Sequence, residues 1–256
     1  MKVLFIGDSL IRGSVGMNWV KRIAIKNPDW IVENAGEDGD TLIKIKQRLD
    51  KKLERNQYDV IFFEAGMNDL LIPAMADKGF LFRQARKYLL AKGHNPLSEP
   101  VAFEKEFRQC IYDIKKKTTA NIILTTLSCM NESLEDSLNK KRCIYNHTIR
   151  DVAKETGCGL VDAGALFDGY LRRCRTKNYF LESFLNTKYF DKFQCSVLGC
   201  PDYLSRKRRL HLTIDGMHLN SRGANIYRDE TEKQIKAIVN NFRAGLEARL
   251  VDLEIY

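Results

Sequence analysis

With 256 residues, 44% of them hydrophobic and 10% aromatic, the chain has the size and apolar content of one large α/β domain with a real core. It has no apolar run long enough to span a bilayer, and its N-terminus, one lysine and then strand-like KVLFI, has no signal-peptide pattern, so a cytoplasmic location is expected. The net charge of +9 leaves an anionic partner open and does not bear on the fold.

The first strand is expected over 2–6 (KVLFI) and runs straight into Gly7-Asp8-Ser9. Gly, Asp and Ser are common in turns and helix caps, so this step is either an ordinary turn or a serine placed for chemistry. A helical pattern over 17–27 puts Trp19, Val20 and Ile23 on one side, and a second strand follows at 30–34 (WIVEN). Residues 41–55 carry a stripe of Leu42, Ile45, Leu49 and Leu53, and 58–64 (YDVIFFE) read as the third strand. A helix over 101–117 repeats Phe103, Phe107, Cys110, Ile111 and Ile114 ahead of a fourth strand at 121–127 (NIILTTL). Residues 138–156 place Ile144, Ile149, Val152 and Ala153 on an apolar face, 159–162 (GLVD) form a fifth strand, and a long last helix spans about 221–248.

Most of these strands are near-continuous apolar runs, as in a parallel sheet covered on both faces. Alternating strands and helices with right-handed crossovers predict an α/β fold, five parallel strands in flavodoxin-like order 2-1-3-4-5. Two segments exceed this pattern: 70–100 after the third strand and 165–212 after the fifth. Both leave carboxyl ends of strands, the edge where open α/β sheets bind ligands. We expect one domain with two insertions at that rim, packed together as a cap.

Polar residues gather at the same ends. Strand one stops at Asp8-Ser9, strand two in Asn34-Ala-Gly36-Glu-Asp-Gly39-Asp-Thr41, strand three in Gly66-Met-Asn68-Asp69, and Asp215-Gly-Met-His218 precedes the last helix. A serine hydroxyl becomes nucleophilic when a base takes its proton, and that base is commonly a histidine oriented by a carboxylate. Of the four histidines, His94 lies in the first insertion, His147 inside a helix and His211 beside a basic run. Only His218 has an Asp three positions earlier on a Gly-containing turn, a spacing that brings Asp215 to one imidazole nitrogen and leaves the other to face Ser9. Acyl transfer also needs donors for an oxyanion: the Ser9 N–H at a helix N-terminus, the Gly39 backbone and the Asn68 amide are candidates.

Together, Gly7-Asp8-Ser9-Leu10, Gly39 in EDGDT, GMND with Asn68, and Asp215-x-x-His218 resemble the four sequence blocks of the SGNH (GDSL) hydrolases, in the family's order, over 1–70 and about 120–245. The resemblance implies a three-layer α/β/α sandwich and an esterase needing no metal or cofactor. It implies Ser9 as nucleophile, His218 as general base with Asp215 as partner, and Ser9, Gly39 and Asn68 as the oxyanion hole. The expected reaction is cleavage of a carboxylic ester through an acyl-enzyme at Ser9. The expected substrate is a small molecule, a short-chain acyl or acetyl ester on a polar or carbohydrate alcohol. The alternatives are a thioesterase or lysophospholipase, or a catalytically blocked binding protein on the same fold. The G-x-S-x-G elbow, the P-loop, HExxH and the dinucleotide fingerprint are all missing from the sequence.

Weaker signals keep more than one reading. Seven scattered cysteines fit reduced thiols, with Cys110, Cys129, Cys143 and Cys158 in apolar patterns. Cys195-x4-Cys200, with Cys174 and His211 nearby, is a loose zinc site, a disulfide within the insertion, or free thiols. The aromatic-rich stretch 178–193 either lines a pocket or makes the insertion's own small core. The basic run 205–209 is either a solvated loop or a means of attracting an anionic substrate; without a recognised motif, neither nucleic-acid nor membrane partners are expected.

Overall fold

A computed structural model describes the backbone of residues 1–253, with side chains described at 1–185 and 189–240. In chain order the elements are β1 (Lys2–Gly7), α1 (Ser9–Arg12), α2 (Trp19–Lys26), β2 (Ile31–Gly36), α3 (Leu42–Leu53), β3 (Val60–Phe63) and α4 (Met67–Ala74). They continue through α5 (Phe80–Ala91), α6 (Pro100–Lys117), β4 (Asn121–Thr125), α7 (Ser137–Thr156), β5 (Gly159–Val161) and α8 (Ala163–Leu171). A π-helical turn (Asn186–Asp191), α9 (Lys192–Ser196), α10 (Pro201–Arg208) and α11 (Ser221–Leu253) complete the chain. The five strands pair in parallel in the order β2-β1-β3-β4-β5, as expected from the sequence.

Adjacent phenylalanines of β3 show how the sheet acquires two apolar faces, since neighbouring strand residues point to opposite sides. Phe62 meets Trp19 of α2, ring centroids 5.3 Å apart, and Trp19 stacks in turn with Tyr227 of α11 at 5.3 Å. Phe63 meets Phe107 of α6 on the other side, 6.2 Å away, and Phe103 lies against Tyr145 of α7 at 3.9 Å. Helices α2, α8 and α11 therefore form one outer layer and α3, α6 and α7 the other.

Several local expectations change. β2 is an edge strand, half-exposed over its first four residues, rather than buried on both faces. On α7 the inward stripe is Tyr145, Ile149, Val152 and Ala153 with the polar Asn139, Arg142 and Asn146; Ile144 is 50% exposed and Cys143 points outward. The polar members of that stripe are paired in the interior. Arg142 reaches Asp168 at 2.7 Å and Asn146 accepts the Leu127 N–H at 2.8 Å, so an inward helix face need not look apolar in sequence.

The two insertions are shorter than their sequence limits. Residues 70–74 complete α4, whose Leu70 and Ile72 are buried, and 165–171 belong to α8, where Phe167 and Leu171 join the main core. The remaining parts touch one another: Phe82 and Phe184 approach to 5.4 Å, and the Lys78 ammonium donates to the Phe180 carbonyl at 2.7 Å. The aromatic stretch divides, with Phe180 and Phe184 packed on the core and Tyr189, Phe190 and Phe193 exposed.

Cys174, Cys195, Cys200 and His211 are not brought together as a ligand set. Cys174 lies against the Tyr170 carbonyl, Cys200 against that of Leu198, and His211 Nε2 against that of Arg175. Cys195 packs with Val15, Leu204 and Ile214, and burial pushes its thiol up to about 11. In the basic run, Arg208 turns inward to Asp191 at 2.7 Å, while Arg206, Lys207 and Arg209 are exposed. Among the described residues, no helix is long and apolar enough to cross a membrane.

Candidate active site

The site begins where β1 stops. Asp8 caps the short helix α1, its Oδ1 accepting the Leu10 N–H at 2.9 Å, so Ser9 becomes the first helical residue at the carboxyl rim of the sheet. From the far end of the chain, the Asp215 Oδ1 accepts the backbone N–H groups of Met217 at 3.1 Å and His218 at 2.8 Å. This Asx-type turn folds the His218 ring back onto its own carboxylate. His218 Nδ1 lies 2.7 Å from Asp215 Oδ2, and His218 Nε2 lies 3.2 Å from Ser9 Oγ, a residue 209 positions away. All three side chains are buried, at 7%, 1% and 5% exposure for Ser9, Asp215 and His218.

The electrostatics follow from that burial. Burial opposes charge on Asp215, but His218 beside it and two backbone N–H groups hold its carboxyl below its ordinary value. Burial likewise disfavours a protonated His218, and Asp215 outweighs it, raising the imidazole above 6.5. Burial lifts Asp8 to about 7, with the Leu10 N–H and His218 pulling it back.

The loop after β2 supplies the second wall. Gly39 has φ +82°, a left-handed conformation that glycine adopts without penalty, and a side chain there would press on Leu89 of α5. Its carbonyl lies 3.0 Å from His94 Nδ1, so the first insertion closes over this loop. Asn68 sits in the first turn of α4, reached through Gly66 at φ +120°. The Asn68 amide donates to Asp8 Oδ2 and to the Asp40 carbonyl, each at 3.0 Å, thereby joining the loops after β1 and β2. Both its hydrogens are committed, so donation to a substrate oxygen proceeds by exchanging one of these bonds.

One cation beside the site carries no signal in the sequence. Arg48 of α3 donates to Asp40 Oδ2 at 2.5 Å, to the Ala35 carbonyl at 2.6 Å and to the Gly7 carbonyl at 2.8 Å. One guanidinium thus ties the end of β1, the end of β2 and the residue after Gly39. Asp69 does a similar service nearby, accepting the Leu42 N–H at 2.9 Å and the Leu97 N–H at 2.8 Å, and burial pushes its carboxyl to about 6. Next to this rim a cavity of about 640 Å³ opens between α4, α7 and the second insertion, lined by Leu70, Pro73, Lys78, Leu138, Phe180 and Glu182 among others. Its lining mixes charged, polar and apolar side chains. Ser9, Asp215 and His218 are not among its lining residues; the connection is through Leu181, between the lining Phe180 and Glu182, whose N–H donates to the Asp215 carbonyl at 2.9 Å.

A hydroxyl, an imidazole held by a carboxylate, and helix-start N–H groups at one sheet edge can together pass a proton and stabilise a developing oxyanion. Set on a parallel α/β/α sandwich, this is the layout of an α/β-type ester hydrolase. Residues 5–226 match the GDSL-like lipase/acylhydrolase family, and the chain belongs to that family; it is an esterase. Solved structures share the fold. An alpha/beta hydrolase from the metagenome of Lake Arreo, Spain, is 18% identical, with 93% of this chain and 95% of that one covered and a TM-score of 0.61. The acetyl xylan esterase AlAXEase is 18% identical over 91% of this chain and 98% of its own, TM-score 0.60. An acetylxylan esterase from Geobacillus stearothermophilus is 20% identical over 91% and 93%, TM-score 0.56. No curated protein sequence matches.

Proposed function

We propose that this esterase cleaves a carboxylic ester through an acyl-enzyme at Ser9. The Ser9 Oγ attacks the ester carbonyl carbon as His218 Nε2 takes its proton, and Asp215 steadies the resulting imidazolium. The tetrahedral oxyanion is received by the N–H groups of Ser9 and Gly39 and by the Asn68 amide once it releases one of its present acceptors. Collapse expels the alkoxide, which takes the proton from His218. Water then attacks the acyl group with His218 again as base, giving the carboxylic acid and regenerating Ser9.

The substrate in this reading is a short acyl or acetyl ester of a polar or carbohydrate alcohol. The acetylxylan esterases among the structural neighbours support it, as does the polar and charged share of the nearby cavity lining. The touching insertions act in it as one cap over the rim, supported by the Phe82–Phe184 and Lys78–Phe180 contacts.

The observation that carries the proposal is the continuous chain Ser9 Oγ, His218, Asp215 at 3.2 Å and 2.7 Å. The test compares wild type with Ser9→Ala on p-nitrophenyl acetate, butyrate and octanoate, alongside labelling by a serine-reactive phosphonate. Ser9→Ala is expected to lose activity by on the order of 10⁴-fold or more and to escape labelling, with acetate preferred by wild type. Folded Ser9→Ala that still turns over the acetate would refute the nucleophile; a preference for octanoate would refute the short acyl group.

A further inference from the structure

The turn after β4 holds a carboxylate that the proposed reaction leaves unused. Glu132 is fully buried, and each of its oxygens is occupied by the segment that leads into the acid–base turn. Its Oε1 accepts the N–H groups of Leu212 and Thr213, both at 2.7 Å, and the Thr213 hydroxyl at 2.8 Å. Its Oε2 accepts the His211 N–H at 2.6 Å. The Thr213 hydroxyl oxygen accepts in turn the N–H of Gly216, between Asp215 and His218, at 3.1 Å.

We propose that Glu132 is a positioning residue for the Asp215–His218 pair, acting through Thr213. This rests on the reading of His218 as the general base. The stretch 209–220 between α10 and α11 lacks helix or strand; a single bridge, Thr213 to Leu219, and the Ile214 N–H to His218 carbonyl bond at 2.8 Å close it on itself. A closed loop of this kind keeps its internal shape, and its place on the domain is set by ties from outside: the Met17 N–H to the Leu219 carbonyl at 2.8 Å, the Leu181 N–H to the Asp215 carbonyl at 2.9 Å, and Glu132, which takes three consecutive backbone N–H groups of the loop. The Cys129 thiol, from the same turn, lies 3.7 Å from the Gly216 carbonyl and adds a weaker tie.

The turn is itself rigid. Asn139 of α7 accepts the Met130 N–H at 3.0 Å and donates to the Asn131 and Ser133 carbonyls at 2.7 Å and 2.9 Å, gripping the backbone on both sides of Glu132. Four donors converging on one carboxylate also explain how a fully buried acid is tolerated: hydrogen bonds replace its hydration. The route therefore runs from α7 through Glu132 and Thr213 to Gly216, and so to the imidazole that faces Ser9.

The test uses the full chain, counting sites by phosphonate titration so that misfolded molecules drop out. Glu132→Gln places an amide N–H₂ among N–H donors, and kcat on p-nitrophenyl acetate is expected to fall about 10- to 100-fold with KM little changed, the scale of a misplaced reacting group. Thr213→Val keeps the shape and the backbone bonds to Glu132 but cuts the link to Gly216. It is expected to lower kcat in the same direction by about tenfold or less, with Thr213→Ser restoring it. In both impaired variants the acid limb of kcat/KM moves to lower pH, because an imidazole less well held against Asp215 loses part of the stabilisation of its proton. A purely structural role predicts fewer titratable sites but unchanged kcat per site and an unmoved limb, and that result in Thr213→Val overturns the proposal even if Glu132→Gln does not fold. Activity remaining in Ser9→Ala would instead sink the underlying catalytic reading.

Discussion

Removing the guanidinium of Arg48 tests whether the loops proposed to receive the oxyanion are braced or merely adjacent. Arg48→Met keeps the aliphatic stem along α3 and deletes three bonds at once, to Asp40, Ala35 and Gly7. The Asp40 side chain is 6% exposed and that of Arg48 26%, so the carboxylate keeps the His94 ring, 3.5 Å from its Oδ1, but loses its close cation, while water replaces part of the lost bonding at the arginine end. Breaking a fully buried pair costs about 3–5 kcal/mol, and the partial exposure of Arg48 scales this to about 2–3 kcal/mol of stability. The kinetic effect has a separate ceiling, since loss of one oxyanion donor costs about 2.7–4 kcal/mol of barrier. Displacing the Gly39 loop forfeits about half of that, so kcat should fall about 10- to 30-fold. Arg48→Lys retains charge for Asp40 but cannot reach both carbonyls as well, and should fall between the two. Urea unfolding gives the stability term and p-nitrophenyl acetate turnover per phosphonate-titrated site gives the kinetic one. A variant that loses stability but keeps its full kcat per site would show that the three bonds serve folding alone.

Two further predictions concern protons. With Asp215 raising His218 above 6.5 against the effect of burial, and the neutral ring proposed as the base, kcat/KM should climb with pH to a midpoint above 6.5; Asp215→Asn should lower that midpoint and cut kcat by roughly 10⁴-fold, and an unshifted midpoint would exclude His218 as the titrating base. Glu64, fully buried with neither carboxyl oxygen hydrogen-bonded, is held protonated by burial and by Asp8; because its folded value lies above 4.5, stability is lost as pH rises from there toward that folded value, so Glu64→Gln should gain on wild type by about 1.4 kcal/mol per pH unit in urea titrations above pH 4.5, and parallel curves would refute it.

What was legible in the sequence divides along a physical line. Strand runs such as VLFI and VIFF announce themselves because a doubly covered strand is apolar at every position. The candidates Ser9, Gly39, Asn68, Asp215 and His218 stand out in the sequence because each follows a strand or precedes a helix at the rim where parallel topology makes ends converge. Helix α4 does not show as a helix in the sequence, and its second half falls within the expected insertion at 70–100, because MNDLLIPA is buried nearly all round and has no amphipathic period. Ile144 misleads for the converse reason, since its helix buries Asn139, Arg142 and Asn146 on the inward face and leaves Ile144 outside. Arg48 and Glu132 left no signal. A cation on an amphipathic helix and an acid in a turn both look solvated until their partners, 41 and 81 positions away for Gly7 and Thr213, are brought beside them. Such distant polar pairs are desolvated only by the completed tertiary fold, and local pattern cannot carry that information. The same argument says where errors of sequence reading should concentrate in this chain: at buried polar groups that connect separate loops, which here are the groups that hold the candidate site in shape.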